Sequence, residues 1–189
     1  MNGVVHSGSK AHLLGHVRSL RHSRGNWETK YQLRDLAQDS GEYLSALPNI
    51  HDLTLYNTGI EHISEDTFCA CFSAFRETLT FLSLDTCATL FSAFVTLVDY
   101  FPSLMTLQLY SLAPGPDEGP VPSLSRPLRG KAHVRRAQDN CLEFLNRFSE
   151  LDLEYEELII DSLFLFVETK FLESALQISA SAVKFLADR

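Results

Sequence analysis

Three stretches of the chain share one pattern of apolar and polar positions. Residues 50–55 read Ile-His-Asp-Leu-Thr-Leu, residues 79–84 Leu-Thr-Phe-Leu-Ser-Leu, and residues 104–109 Leu-Met-Thr-Leu-Gln-Leu. Each has apolar side chains at its first, fourth and sixth positions, and the alternation over the last three is the period-two signature of a strand with one face buried. A fourth stretch, Phe148/Leu151/Leu153, fits the same template. All twelve apolar slots are strongly hydrophobic, and the positions between them are polar except Phe81 and Met105. The first three stretches begin 29 and 25 residues apart, whereas 44 residues separate the third from the fourth. A degenerate unit or an insertion therefore lies in the wide gap, and Ala132 and Val134 within 129–134 could supply a weak strand there. Weaker starts of the same kind occur at Val17/Leu20 and Val183/Leu186.

The segments between these stretches carry helical periodicity. In 64–79, Ser64 is placed as an N-cap, acidic residues occupy the first turn, and Phe68, Phe72 and Phe75 recur on one face. Residues 90–101 end at Pro102, 138–148 form a second amphipathic candidate, and 168–178 a third. A strand and a helix recurring at about 25 residues match the leucine-rich-repeat template L-x-x-L-x-L-x-x-N/C-x-L. The expected fold is therefore α/β, an irregular leucine-rich-repeat solenoid with parallel strands on a concave face and helices on the convex one, forming one domain over 1–189. Cys87 stands in the ninth slot of its repeat, where it can satisfy backbone groups as the chain leaves the strand. Residues 113–127 hold five of the seven prolines. Proline lacks a backbone donor, so this stretch is expected as an exposed loop between repeats.

Hydrophobic residues make up 45% of the chain and charged residues 21%, a globular balance, and the formal net charge is −8. That acidity argues against a protein whose main task is to neutralise nucleic-acid phosphates. The N-terminal 25 residues contain no continuous apolar run of the signal-peptide kind, and the most apolar stretch, 158–167, is interrupted by Asp161. No N-x-Ser/Thr acceptor occurs, and four cysteines do not make a dense disulfide framework. A cytoplasmic or nuclear protein, away from membranes, is the expectation.

Chemistry is sparse. Cys69 and Cys71 sit two apart in an expected helix, a spacing that sends them to different faces rather than to one zinc ion, and both are read as buried small hydrophobes. The seven histidines are dispersed without a ligand-pair spacing. Neither a phosphate-binding glycine loop nor a nucleophile elbow is present. The acidic run 150–157 reads as the solvent face of a strand, not as a catalytic carboxylate pair. No enzyme activity, catalytic residue, cofactor or metal is expected.

What remains is a surface. The third, fifth and seventh slots of the four stretches would line the concave face: Asp52, Thr54 and Tyr56; Phe81, Ser83 and Asp85; Thr106, Gln108 and Tyr110; and Glu150, Asp152 and Glu154. The weak strand adds Lys131, His133 and Arg135 as a basic row able to pair with the acidic one. The face is acidic and carries three aromatics, a residue type enriched at interface hot spots. A protein ligand with a basic or mixed segment is the expected partner.

The phrases LPNIHDLTLYNTGIEHI, CFSAFRETLTFLSLDT, GPVPSLSRPLRGK and ELDLEYEELII, with ETKFLESALQIS, together resemble the leucine-rich region of F-box-like proteins from mushroom-forming fungi. The likeness spans roughly residues 14–186. It implies substrate recognition for a Skp–cullin ubiquitin ligase, without catalysis by this chain. No L-P-x-E-[IL] opening of an F-box precedes Leu47, so ligase components become partners only through an F-box outside these residues. Otherwise the repeats act as an interaction or scaffold unit with no ubiquitin link.

Overall fold

A computed structural model describes residues 15–23, 31–32, 43–60, 65–115, 119–135, 141–161 and 183–186. The Ser64 cap and the helix expected over 168–178 lie outside these residues. The architecture is mixed α/β. Seven strands form one sheet: β1 (Ser19–Ser23), β3 (Asp52–Tyr56), β5 (Phe81–Asp85), β7 (Thr106–Tyr110), β9 (Leu128–Arg135), β10 (Leu153–Asp161) and β11 (Val183–Leu186). They are adjacent in chain order, and every pairing is parallel. Two-residue strands β2 (Tyr31–Gln32), β4 (Thr58–Gly59), β6 (Ala88–Thr89) and β8 (Ala113–Pro114) make a second parallel sheet in the same order.

The register exposes a beat finer than the sequence pattern. Leu20, Leu53, Leu82, Leu107, Ala132, Leu158 and Val183 stand in one column across the sheet, at intervals of 33, 29, 25, 25, 26 and 25 residues. The three weak starts near Leu20, Ala132 and Val183 are thus strands of this sheet. The fourth stretch is where pattern and structure part. Phe148 belongs to helix α3 (Cys141–Ser149), Leu151 is buried in the turn that follows, and β10 begins only at Leu153. The residues of β10 that occupy the repeat's first, fourth and sixth slots are Tyr155, Leu158 and Ile160, seven positions further on. The helical periodicity of Phe144, Leu145 and Phe148 claims Phe148 for the buried helix face, where its ring stacks 6.1 Å from that of Tyr155.

Each of three strands ends in the same way. Asn57, Thr86 and Ser111 adopt positive φ of 51°, 56° and 51°. Their N–H groups donate to the carbonyls of Asp85, Tyr110 and Arg135, the last residues of the next strands, at 2.9, 2.8 and 3.0 Å. This left-handed step turns the chain into the short second-sheet strand. Cys87 follows the middle step, and its thiol donates to the Leu55 carbonyl at 3.3 Å, so the ninth slot does serve backbone groups. Thr58 fills the equivalent slot one strand earlier and donates to the Tyr56 carbonyl at 3.1 Å.

Helices α1 (Glu65–Phe72), α2 (Phe91–Tyr100) and α3 cover the side of the sheet on which the leucine column lies. A 3-10 turn, Ser73–Phe75, extends α1 and places Phe75 against Phe101, and the Phe72 ring meets both. Phe94 is fully buried and meets Phe91, Phe144 and Phe148 at centroid distances of 6.0, 5.0 and 5.9 Å. Edge-to-face geometry of this kind contributes beyond the apolar area that it buries.

One expectation needs correction. Cys69 is exposed while Cys71 is buried, because residues two apart on a helix point to opposite sides, so only one of them can reach the core. The proline-rich stretch is held at several points: Val121 and Leu124 pack on the core, and Arg126 donates to the Phe101 carbonyl. The Ser125 amide and hydroxyl both donate to Asp99 Oδ1, at 2.9 and 2.7 Å. Arg147, buried over the Phe91 ring at 4.8 Å, donates to the Gly119 carbonyl at 2.7 Å.

Candidate recognition surface

Alternation along each strand sends the leucines into the core and their neighbours to the open side of the sheet. Pairing then sets those neighbours in rows. One row runs Ser19, Asp52, Phe81, Thr106, Lys131, Glu157. The next runs Arg21, Thr54, Ser83, Gln108, His133, Ile159, and the third Ser23, Tyr56, Asp85, Tyr110, Arg135, Asp161. The nine residues expected from the first three stretches therefore do stand side by side, with Lys131, His133 and Arg135 continuing them. Most are half-buried, and Ser83 at the centre is 8% exposed.

Glu150, Asp152 and Glu154 do not occupy the rows. Glu150 and Asp152 precede β10, and Glu154 pairs in register with Arg129, one step before the first row. A register shift between Tyr155 and Glu157 leaves Glu156 as an extra residue, so that Glu157 meets Lys131. The register positions that the sequence pattern missed are Glu157, Ile159 and Asp161 on β10 and Ser19, Arg21 and Ser23 on the weak first strand. The 25-residue interval from Leu107 to Ala132 brings β10 to within one residue of its place, and the extra residue Glu156 makes the next interval, to Leu158, 26.

Charge is divided unevenly over this face. Arg129 Nε lies 2.8 Å from Glu154 Oε2, and Lys131 Nζ 2.9 Å from Glu157 Oε2. The hydrogen bond and charge of Glu157 raise the Lys131 pKa. Asp52 and Asp85, by contrast, have no ion-pair partner among the described residues. Asp85 Oδ1 accepts the Thr86 hydroxyl at 2.9 Å. The Arg21 guanidinium carbon lies 5.8 Å from the centre of the Tyr56 ring, a cation–π separation.

Among the described residues, no group of three or more His, Cys, Asp or Glu side chains is placed to hold a metal ion. No described helix is long and apolar enough to cross a membrane. No protein-family model, curated protein or solved structure matches the chain.

Proposed function

We propose that this chain is a non-catalytic leucine-rich-repeat recognition module that holds a protein ligand on the open face of its parallel sheet. The observation that carries this reading is the repeating unit itself. Strand, left-handed residue and short second strand recur through β3, β5 and β7, and each unit sets three outward side chains in register with the next. Such a stack of units offers a continuous, preformed surface, which is what repeat proteins use to bind partners. The likeness to fungal F-box-like proteins supports a substrate-binding role beside a Skp–cullin ligase.

A scaffold or decoy without a ubiquitin link is the second reading, and one observation favours it. Residues 19–23 and 31–32 already belong to the two sheets, so this part of the chain is given to repeats rather than to F-box helices. An adaptor role then draws on an F-box outside residues 1–189. Quantitative affinity capture from a mushroom-forming fungus, comparing the wild type with Thr54→Arg and Gln108→Arg, tests both readings. Face-dependent partners that include Skp and cullin components support the adaptor, and face-dependent partners without them support the scaffold. A captured set that neither substitution changes removes the recognition role.

A further inference from the structure

The two halves of the open face differ in how their charge is satisfied, and that difference selects a ligand chemistry. On β9 and β10 two basic and two acidic side chains are matched, in the Arg129–Glu154 and Lys131–Glu157 pairs. On β3 and β5 the two carboxylates, Asp52 and Asp85, face no cation of the described chain. Asp85 also has a particular setting. It lies in register with Tyr56 on one side and Tyr110 on the other, so the two rings flank it on strands about 4.8 Å away in either direction. All three side chains are half-buried. The Thr86 hydroxyl holds one carboxylate oxygen, which orients the group and leaves the other available.

We infer that Tyr56, Asp85 and Tyr110 form a cradle for an arginine side chain presented by an extended segment of a protein partner. The inference rests on the recognition reading above and is argued from charge complementarity. A planar guanidinium can lie against a tyrosine face while its edge donates to a carboxylate, which a lysine ammonium does less well. The chain itself illustrates half of the arrangement, since Arg21 approaches the outer side of the Tyr56 ring at cation–π distance. The arginine of the partner takes the inner side, toward Asp85. Asp52 and the half-buried Phe81 ring continue the acidic and aromatic character along the first row, which suits a second basic or apolar side chain of the same segment.

The test uses the full chain with its aromatic side chains isotopically labelled, titrated with the peptide Ac-Gly-Ser-Arg-Gly-Ser-amide while the tyrosine ring resonances are followed by NMR. Saturable shifts of Tyr56 and Tyr110 are expected, weaker with lysine in place of arginine and absent with citrulline, its neutral isostere. Asp85→Asn keeps the acceptor for Thr86 and should weaken binding at least about tenfold, the effect of losing a charge-assisted pair in a half-buried site. Tyr110→Leu serves as the second variant, and thermal melting of both confirms that they remain folded. Equal shifts with citrulline, or undiminished binding by folded Asp85→Asn and Tyr110→Leu, would overturn the inference. If Thr54→Arg alters partner capture while the arginine peptide leaves the tyrosines unmoved, the arginine cradle alone fails. If neither responds, the recognition reading fails with it.

Discussion

Gly130 is the residue whose replacement should do most damage for the fewest added atoms. It adopts φ +89°, and a Cβ built on it would stand 2.0 Å from the Met105 carbonyl oxygen and 2.8 Å from the carbonyl carbon. That carbonyl cannot simply withdraw, because it accepts the Lys131 N–H at 2.7 Å at the start of the β7–β9 pairing. Alanine at positive φ costs about 1–2 kcal/mol. Losing the ladder bond adds about 0.5–1.5 kcal/mol, so Gly130→Ala should destabilise by about 2–3 kcal/mol. With a urea m-value of about 2–3 kcal/mol/M for a chain of this size, the unfolding midpoint should fall by about 1 M. Gly115→Ala is the control: its φ is not in the positive range, and the nearest atom to a new Cβ is a flexible leucine methyl at 3.1 Å. A midpoint for Gly130→Ala within about 0.3 M of wild type would refute the reasoning and the β9 backbone path with it.

Phe94→Ala removes the ring shared by Phe91, Phe144 and Phe148 and should cost about 3–5 kcal/mol in chemical unfolding, whereas Phe94→Leu should cost less than half of that. Burial pushes the Cys87 thiol up to about 12 from 9.0, so below pH 9 both folded and unfolded states keep the proton and stability is flat. Above that pH only the unfolded chain ionises, and stability should fall by about 1.4 kcal/mol per pH unit toward pH 12. Burial raises Cys71 to about 11 and also raises Tyr155, so both act in the same direction. Cys87→Ala should flatten the alkaline limb of a stability–pH curve, and an unchanged slope would contradict this assignment. Asp99→Ala frees Ser125 from both hydrogen bonds, and cleavage by thermolysin before Leu124 should accelerate in a timed digest while far-ultraviolet circular dichroism stays the same. No acceleration would mean that Val121 and Leu124 alone hold the loop.

Three strands were legible in the sequence because strong leucines occupied every inward slot, as at Leu53/Leu55, Leu82/Leu84 and Leu107/Leu109. The units on either side were weak for a physical reason. In β9 the inward slots hold Gly130, Ala132 and Val134, small residues that leave little apolar signal although all three are buried. The fourth register slipped because a helix and a strand lie almost end to end there. Phe148 satisfies the helix period and Leu151 and Leu153 the strand period, so a pattern counted without the boundary joins them. A register taken from chain interval rather than from apolar strength would have put Glu156 in the first row, one residue from Glu157, which the bulge brings there. The surface inherited the same error: six of the nine expected outward residues on β3, β5 and β7 are polar, which any strand face would show, and only pairing tells which of them are neighbours.

That pairing also reassigns the acidity of the chain. In sequence, the run from Glu150 to Glu157 is the densest negative segment and invites the view that it attracts a basic ligand. Folded, Glu154 and Glu157 pair with Arg129 and Lys131 on the adjacent strand, so two of the five carboxylates of the densest segment are already met. Exposed pairs of this kind add little stability. Their effect is on specificity, because without them β9 would present an uncompensated cationic strip two strands from Asp85, and a basic ligand would meet it as it approached. Pairing Arg129 and Lys131 from the far side reduces the cationic field that β9 sets beside Asp52 and Asp85. On the proposed reading, Asp85 between the Tyr56 and Tyr110 rings, rather than the longer acidic run, is the group that meets a cationic segment.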